Sequence, residues 1–575
     1  MKEMSESGGA PTVSALAKYG PLGAICVVIL AVVVGLVVTS PKQDSPSAAP
    51  TTAKPSASAT QLPEGVVPWG VAKAEGKTEQ INWGDRCDTS KGVLALPVTP
   101  APTCYAPYDG PSGGASATGV TADAIKVVVY TAQDNDPVLS FIYSQIGNND
   151  TPAGTFETYE GFNEILATYF ETYGRKVELV RYSATGAASD PVAATSDAET
   201  ISRDIKPFVV IGGPILTDAF ADTLSANKVM CISCSPGQTN DWYVERAPYV
   251  WDVQKNVNQG SIMTAEYVGK HLAKGNAEFG GPAVKDQKRK LGLIYLSSSE
   301  SSENVRKELE ADLKDEYGVE FAEVASFKSP VGMAGEAREI LARMKASGVT
   351  SILYSGDPLA PQTLTQVATE QDYYPEWVIS GSALVDTTIF ARTYDQAQWA
   401  HAFGPSNLFA RVSSKVAGAA FLYNWFYGVP APARTSAPLI LPNLQFLYAV
   451  LQGIGTDLSP QSFEKTIFAA EIVPGTVLSP QLSWGNRGIW PAIDYAGVDD
   501  QTEVWWDAAA VGQDESGREG TGMWAYVDGG TRYLPGEWPS STRKLFDPDS
   551  AVTMYTEPPA GITIPDYQPL PPAEG

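Results

Sequence analysis

The sequence predicts an α/β protein of two lobes, each built on a doubly wound parallel sheet. Three observations carry this. Short apolar runs rich in Val and Ile alternate with segments of helical period from residue 125 onward, the pattern of strand–helix–strand units whose helices cover both faces of a sheet. The alternation comes in two series separated by the charged crossing KDQKRK at 285–290, so two sheets are expected and not one long one. The chain has 575 residues, 43% apolar and 18% charged, enough for two or three domains at roughly 100–200 residues each.

The first strand is IKVVVY at 125–130, ending in the polar turn TAQDNDP. A helix follows over 156–173, where Phe156, Tyr159, Phe162, Leu166 and Tyr169 recur at helical spacing and form a core stripe. Strands are expected at 177–182 and 207–211, with a helix between them at 196–205. Gly212-Gly213-Pro214 then turns the chain into a helix near Thr217, an arrangement that exposes backbone amides. The fourth strand lies in KVMCISCSPGQTN at 228–240, where Val229, Met230 and Ile232 precede a polar Pro-Gly turn. Such turns, at the carboxyl ends of strands in open α/β sheets, are where small ligands bind. A strand at 249–253 and a helix over 259–272 close the first series.

The second series runs strand 291–296, helix 302–317, strand 319–327, helix 333–346, strand 349–354, helix 362–370 and strand 377–380. Aromatic-rich helices are expected at 412–427 and 441–451, followed by TEVWWDAA and GMWAYVDGGTRYL with a hairpin turn at Asp528-Gly529. Trp505, Trp506 and Trp524 are read as packing against the lobes, a sugar-stacking surface being the alternative.

Residues 22–38, LGAICVVILAVVVGLVV, carry no charge and approach the shortest length that spans a bilayer. An uncleaved anchor is expected, a cleaved signal peptide being the alternative. The segment after it, rich in Pro, Ala, Ser and Thr, buries too little apolar surface to order itself. With this export signal, disulfides are permitted. Cys87 and Cys104 are expected to pair, and Cys231 with Cys234 forms a CxxC, read as a local disulfide or two buried thiols. The formal charge of −25 argues against nucleic acid as a partner, because phosphate binding needs clustered cations. His271 and His401 are the only histidines, so a site needing several is excluded. The literal G-x-S-x-G at Gly110, Ser112 and Gly114 lacks the strand and helix that a nucleophile elbow requires, and no cofactor is expected.

IKVVVY, YSATGAASDPVAATSDAETISRDIKPFVVIGG at 182–213 and ISCSPGQTN at 232–240 together resemble the type I periplasmic binding proteins. The resemblance is to their branched-chain amino-acid (Leu/Ile/Val) branch among ABC-transporter substrate-binding proteins, and covers about residues 119–455. It implies two lobes closing on a ligand by a hinge motion. The family's ligand-contacting loops fall on Gln133, Asn135, Asp136, Pro214, Ile215, Leu216, Thr217, Ser235, Gln238 and Thr239 in the first lobe. In the second they fall on Ser298, Ser302, Asp357, Pro358, Ser380 and Ser382. Amino-acid binders place an acid after the last of these strands; SGSAL stands here instead, leaving Asp357 or Asp136 to face an ammonium.

The organisation expected is a cytoplasmic stub 1–21, a transmembrane anchor 22–39, a disordered linker 40–75 and a disulfide-containing extension 76–118. Lobe 1 follows over 119–255, lobe 2 over 256–385, mixed return segments mainly of lobe 1 plus the hairpin over 386–540, and an extended tail over 541–575. Interlobe crossovers are expected at 253–256, 384–388 and 403–411. The function implied is a single-pass, membrane-tethered extracytoplasmic solute-binding protein. It would pass a small polar ligand, such as an amino acid or similar metabolite, to an ABC permease or another membrane protein. A sensory or cell-surface ectodomain on the same fold is the alternative, and an enzyme is not expected.

Overall fold

The computed structural model describes residues 62–572 apart from 298–299, 331 and 541–543. The stub, the anchor and most of the linker lie outside the described residues, as does Ser298.

Lobe 1 is organised around five strands: β1 (Ala124–Thr131), β2 (Lys176–Ser183), β3 (Val209–Ile211), β4 (Met230–Ile232) and β5 (Val250–Trp251). They pair in parallel in the order β2-β1-β3-β4-β5. Val127, Val128 and Val129 are fully buried, because helices cover both faces of a parallel sheet and leave no polar alternation. The helices are α1 (Pro137–Ile146), α2 (Pro152–Tyr169), α3 (Pro191–Thr200), α4 (Ala219–Ala226) and α5 (Asn240–Glu245).

Lobe 2 begins with α6 (Val257–Tyr267) and repeats the winding with β6 (Leu291–Leu296), α7 (Glu300–Tyr317), β7 (Glu323–Phe327), α8 (Ala334–Ala346), β8 (Ser351–Ser355), α9 (Ala360–Glu370), β9 (Glu376–Ile379) and β10 (Ala402–Ser406). Its parallel strands run β7-β6-β8-β9-β10, the same second-first-third-fourth-fifth order as in lobe 1. Three further helices return to lobe 1: α10 (Ala419–Tyr427), α11 (Ala437–Ile454) and α12 (Pro460–Ala469), which bury Leu422, Leu444, Leu447 and Phe463 in its core. The α11 helix is long and apolar enough to cross a membrane, yet 67% of it is buried, and it serves as a core helix.

The sheet of lobe 2 is then extended by β11 (Gln501–Gln513) and β12 (Glu519–Val527), with the short β13 (Arg532–Tyr533) and β14 (Ala551–Val552) at their ends. The antiparallel β11 pairs with β10 and with β12. Trp505, Trp506 and Trp524 are buried in this extension.

Four expectations change. The segment 62–75 is ordered, with a helix at Trp69–Ala74 and Val66 and Ala72 buried, because apolar residues follow directly on the Pro/Ala/Ser/Thr run. Residues 386–406 stay in lobe 2, where Ile389 and Phe390 join its core, so no crossover occurs at 384–388. The hairpin belongs to lobe 2, and its turn is Asp514 to Arg518, not Asp528-Gly529. Asp514 closes it by accepting from the backbone of Ser516 and Arg518, and Gly517 supplies the required φ of +81°. Short excursions into lobe 2 occur at Ile142 and Ile146, at Val477 and Leu478, and at Ile489 and Trp490. Crossings occur at 253–256, between Ala410 and Ala419, between Tyr495 and Val504, and finally between Ile562 and Leu570. On that last crossing the tail returns to lobe 1, where Tyr567 accepts from Trp425 Nε1 through its carbonyl and donates to Asp88 through its hydroxyl.

Cys87 and Cys104 are joined, 17 residues apart, and pack with Trp83, Leu94 and Leu96 against lobe 1. Replacing both by serine is expected to cost about 2–4 kcal/mol through the freed loop entropy of the unfolded chain. An unchanged melting temperature in the double variant would contradict this.

Candidate functional site

In a sheet wound in this order, the loops on either side of the first strand leave toward opposite faces, and a crevice opens at the carboxyl ends between the first and third strands. Lobe 1 has this point between β1 and β3, lobe 2 between β6 and β8. The crossings set how the two edges meet. The chain leaves lobe 1 at the carboxyl end of β5 and leaves lobe 2 after β10. It re-enters lobe 2 at the start of β11, where Thr502 pairs with Ser406 at the end of β10. Both sheets therefore turn their carboxyl edges to the hinge.

The loops of lobe 1 are tied to each other. Asp136, 3% exposed, caps α1 by accepting from Val138 N and Leu139 N, both at 2.9 Å, through one oxygen. Its other oxygen accepts from Ala188 N at 2.8 Å. Ala188 in turn accepts from Leu216 N at 3.1 Å, which joins the loops after β1, β2 and β3. Asn135 holds a left-handed backbone and is exposed, Gln133 is half-buried and Pro214 is buried. Ile215 and Leu216, on the loop after β3, are 50% and 54% exposed, unusually so for large apolar side chains. Thr217 Oγ1 accepts from Ala219 N.

After β4, Ser235 is buried and accepts from Gln238 Nε2 at 3.0 Å. Thr239 caps α5 by accepting from Trp242 N. Cys231 and Cys234 are joined and buried behind this loop. Gly213 lies so close to it that a Cβ would fall 2.4 Å from the Cys234 carbonyl oxygen, which accounts for a glycine there.

In lobe 2, Asp357 accepts from Leu359 N and Ala360 N at 2.8 and 3.0 Å through Oδ1. Its Oδ2 is buried without a partner, and burial holds the carboxyl above its ordinary range. Pro358 accepts from Tyr394 through its carbonyl. Ser380 donates to the Tyr354 carbonyl and lies 3.1 Å from Ser382 Oγ, which accepts from Gly356 N. Ser302 is half-buried in the first turn of α7. The structure thus gathers the sequence-derived residues into two loop sets. Within them, Asp136, Thr239, Asp357, Ser380 and Ser382 are engaged in holding the loops themselves. Asp136 is engaged through both oxygens, and Asp357 keeps only Oδ2 for an ammonium.

The sequence places one strand of the hinge at 253–256 but does not show the charged cluster buried there. Asp252, Lys255, Asp494, Asp499, Asp500 and Arg532 are buried together where the crossings meet. Asp252 forms a bridge with Ala496 and accepts from Tyr243 Oη at 2.9 Å. Lys255 Nζ donates to the Val498 carbonyl at 3.1 Å and sits 4.8 Å over the Trp490 ring. Asp500 pairs with Arg532 at 2.9 Å. Burial pushes the Lys255 amine down to about 7 and the Asp494 carboxyl up to about 8; it also raises Asp252 and Asp499. The signal present in the sequence was DYAGVDD at 494–500, three acids beside apolar residues in a chain otherwise read as return segments. Among the described residues no group of His, Cys, Asp or Glu side chains is arranged to hold a metal ion.

A shallow depression at the β12–β14 edge, lined by residues including Asp528, Lys544 and Tyr555, contains none of the sequence-derived residues.

The sequence matches no protein-family model and no curated protein. Solved structures do match. The branched-chain amino-acid transporter substrate-binding protein LivJ of Streptococcus pneumoniae, in complex with isoleucine, is 14% identical, with 70% of this chain and 100% of that chain covered at a TM-score of 0.46. A solute-binding protein of Rhodopseudomonas palustris in complex with 3,4-dihydroxybenzoic acid is 13% identical, with 72% and 98% covered at 0.47. A fatty-acid ABC-transporter substrate-binding protein of Thermomonospora curvata is 15% identical, with 69% and 92% covered at 0.46. The structural neighbours are therefore substrate-binding proteins of ABC transporters, the kind of protein that the sequence resemblance implies.

Proposed function

We propose that the protein captures a small solute between its two lobes and presents it, from a membrane tether at its amino-terminal apolar segment, to an ABC permease. One observation carries the reading: two sheets of identical winding turn their carboxyl edges to a common hinge, with the crevice loops of both lobes on that side. Binding to both lobes would stabilise the closed arrangement over the open one. Exposed Ile215 and Leu216 supply apolar surface, while Asp136 and Asp357 each spend an oxygen on capping backbone amides of their own loops. A ligand with an apolar body suits Ile215 and Leu216, and any cationic group on it would have Asp357 Oδ2, which has no partner, or exposed Asp134 to face.

Native mass spectrometry of the purified protein, followed by thermal-shift titration with any compound retained, tests this. Retained or added solute is expected to raise the melting temperature, and Ile215→Asp with Leu216→Asp should abolish the rise while leaving the unliganded melting temperature within about 2 °C, since both side chains are exposed. No retained solute and no shift across amino acids, aromatic acids and fatty acids would remove the proposal.

A further inference from the structure

The α1 helix does not stay with the lobe whose sheet it follows. Its first turn is fixed to lobe 1, because Asp136 caps it and also accepts from Ala188 N at 2.8 Å. Its last turn is fixed to lobe 2. Ile146, 8% exposed, lies in the lobe 2 core and half-buried Ile142 packs against that core. Arg518 Nη1, from the turn of the β11–β12 hairpin, donates to the Gly147 carbonyl at 3.2 Å. Arg518 is itself held by Asp514, at 3.0 Å from Nη2 and 3.1 Å from Nε. The chain then returns: Asp150 accepts from the backbone and hydroxyl of Ser436 at 2.7 and 2.8 Å, at the start of α11 in lobe 1.

Ten helical residues reach about 15 Å. This excursion follows the loop that carries Gln133, Asn135 and Asp136, so it leaves from the crevice itself. Val138, Leu139, Phe141 and Tyr143 are half-buried, and none of them belongs to the core of either lobe. A helix committed to one lobe would place such residues in that lobe's core.

We propose that α1 is a strap across the mouth of the interlobe crevice, and that its carboxyl end must release Ile146 and Gly147 from lobe 2 before the lobes separate. This inference uses the two-lobe architecture and adds to the solute-binding reading a named element that gates access. The barrier is local: buried Ile146 with half-buried Ile142 and one charge-assisted hydrogen bond, all toward the end of the helix away from its anchor.

Single-molecule energy transfer on the full chain, without ligand, tests it. Dyes are placed on Val192→Cys in lobe 1, which is 77% exposed, and on Glu339→Cys in lobe 2, exposed on α8, with Cys26→Ser so that only these thiols react. Arg518→Ala and, separately, Ile146→Asp are expected to raise the population of separated lobes roughly tenfold, the scale set by losing a charged hydrogen bond. Ser144→Asp on the exposed stripe of α1 should leave the distribution unchanged. Distributions for Arg518→Ala that superimpose on wild type, with a wild-type circular dichroism spectrum, would overturn the strap; this variant decides alone if Ile146→Asp fails to fold. Because no ligand is used, that outcome is separate from a failure to find a bound solute.

Discussion

Arg289→Met is expected to destabilise the protein by about 3–5 kcal/mol, the cost of leaving a buried carboxylate without its cation. Glu376, at the start of β9, is fully buried and receives Arg289 through two parallel bonds of 2.7 and 2.8 Å. The Phe279 amide, at 3.1 Å, and the Ser351 hydroxyl complete its shell. Bidentate geometry makes lysine an inadequate substitute. The pair lies at the amino ends of the lobe 2 strands, opposite the crevice edge, so the loss should appear in the denaturation midpoint and not in solute affinity. Arg289→Met combined with Glu376→Leu should recover most of it, because no buried charge then remains. A loss below about 1 kcal/mol for the single variant would mean that the pair is open to water.

Asp494→Asn is expected to stabilise the protein at pH 9 relative to pH 5, by about 2–5 kcal/mol. The sign follows from which state holds the proton. Asp494 titrates near 8 in the folded protein, above its ordinary value, so between about pH 4 and 8 the folded state keeps a proton that the unfolded chain has released. Stability from this group is present at low pH and lost as pH rises through 8. Asp252 and Asp499, also raised by burial, add in the same direction. Lys255 works oppositely: at about 7 it loses its proton in the folded state before the unfolded chain does, so its contribution is lost as pH falls through 7 and recovers toward about pH 10. Wild type should therefore pass through a stability minimum near pH 7–8, which Asp494→Asn fills from the acid side. Urea melts of both proteins at pH 5, 7 and 9 measure this, and a pH-independent difference between them would sink it.

The strands were legible because apolar runs such as the β-branched IKVVVY and the aliphatic LGLIYL have few other places to go, and the duplicated alternation made two lobes readable. What stayed hidden was mostly non-local. Sequence can mark Asp528-Gly529 as a turn, but not that β12 pairs backward with β11 through Asp514 to Arg518. The stretch 383–391 looks like a crossover because it is irregular, yet Val385, Ile389 and Phe390 find the lobe 2 core. The α1 helix escaped because PVLSFIYSQI is a short, mostly apolar stretch of ten residues, a length at which periodicity alone does not separate helix from strand; the Asp-Pro pair at its start was the readable signal. Among the site residues, loop positions were inferable from the winding of the sheets, whereas the capping work of Asp136, Thr239 and Asp357 depends on local turn geometry that composition does not disclose.

The interleaving of the lobes also orders events during synthesis. The exposed edge of β10 receives its partner only when β11 emerges, about a hundred residues later, after α10, α11 and α12 have been made for the other lobe. At about 5–20 residues per second, the growing chain carries an unpaired edge, AFGPS, for roughly 5–20 s. That edge is short, contains a proline and begins beside His401, features that discourage pairing with a neighbouring chain. The interval in which this protein is most exposed to misassembly is thus set by the path of its backbone.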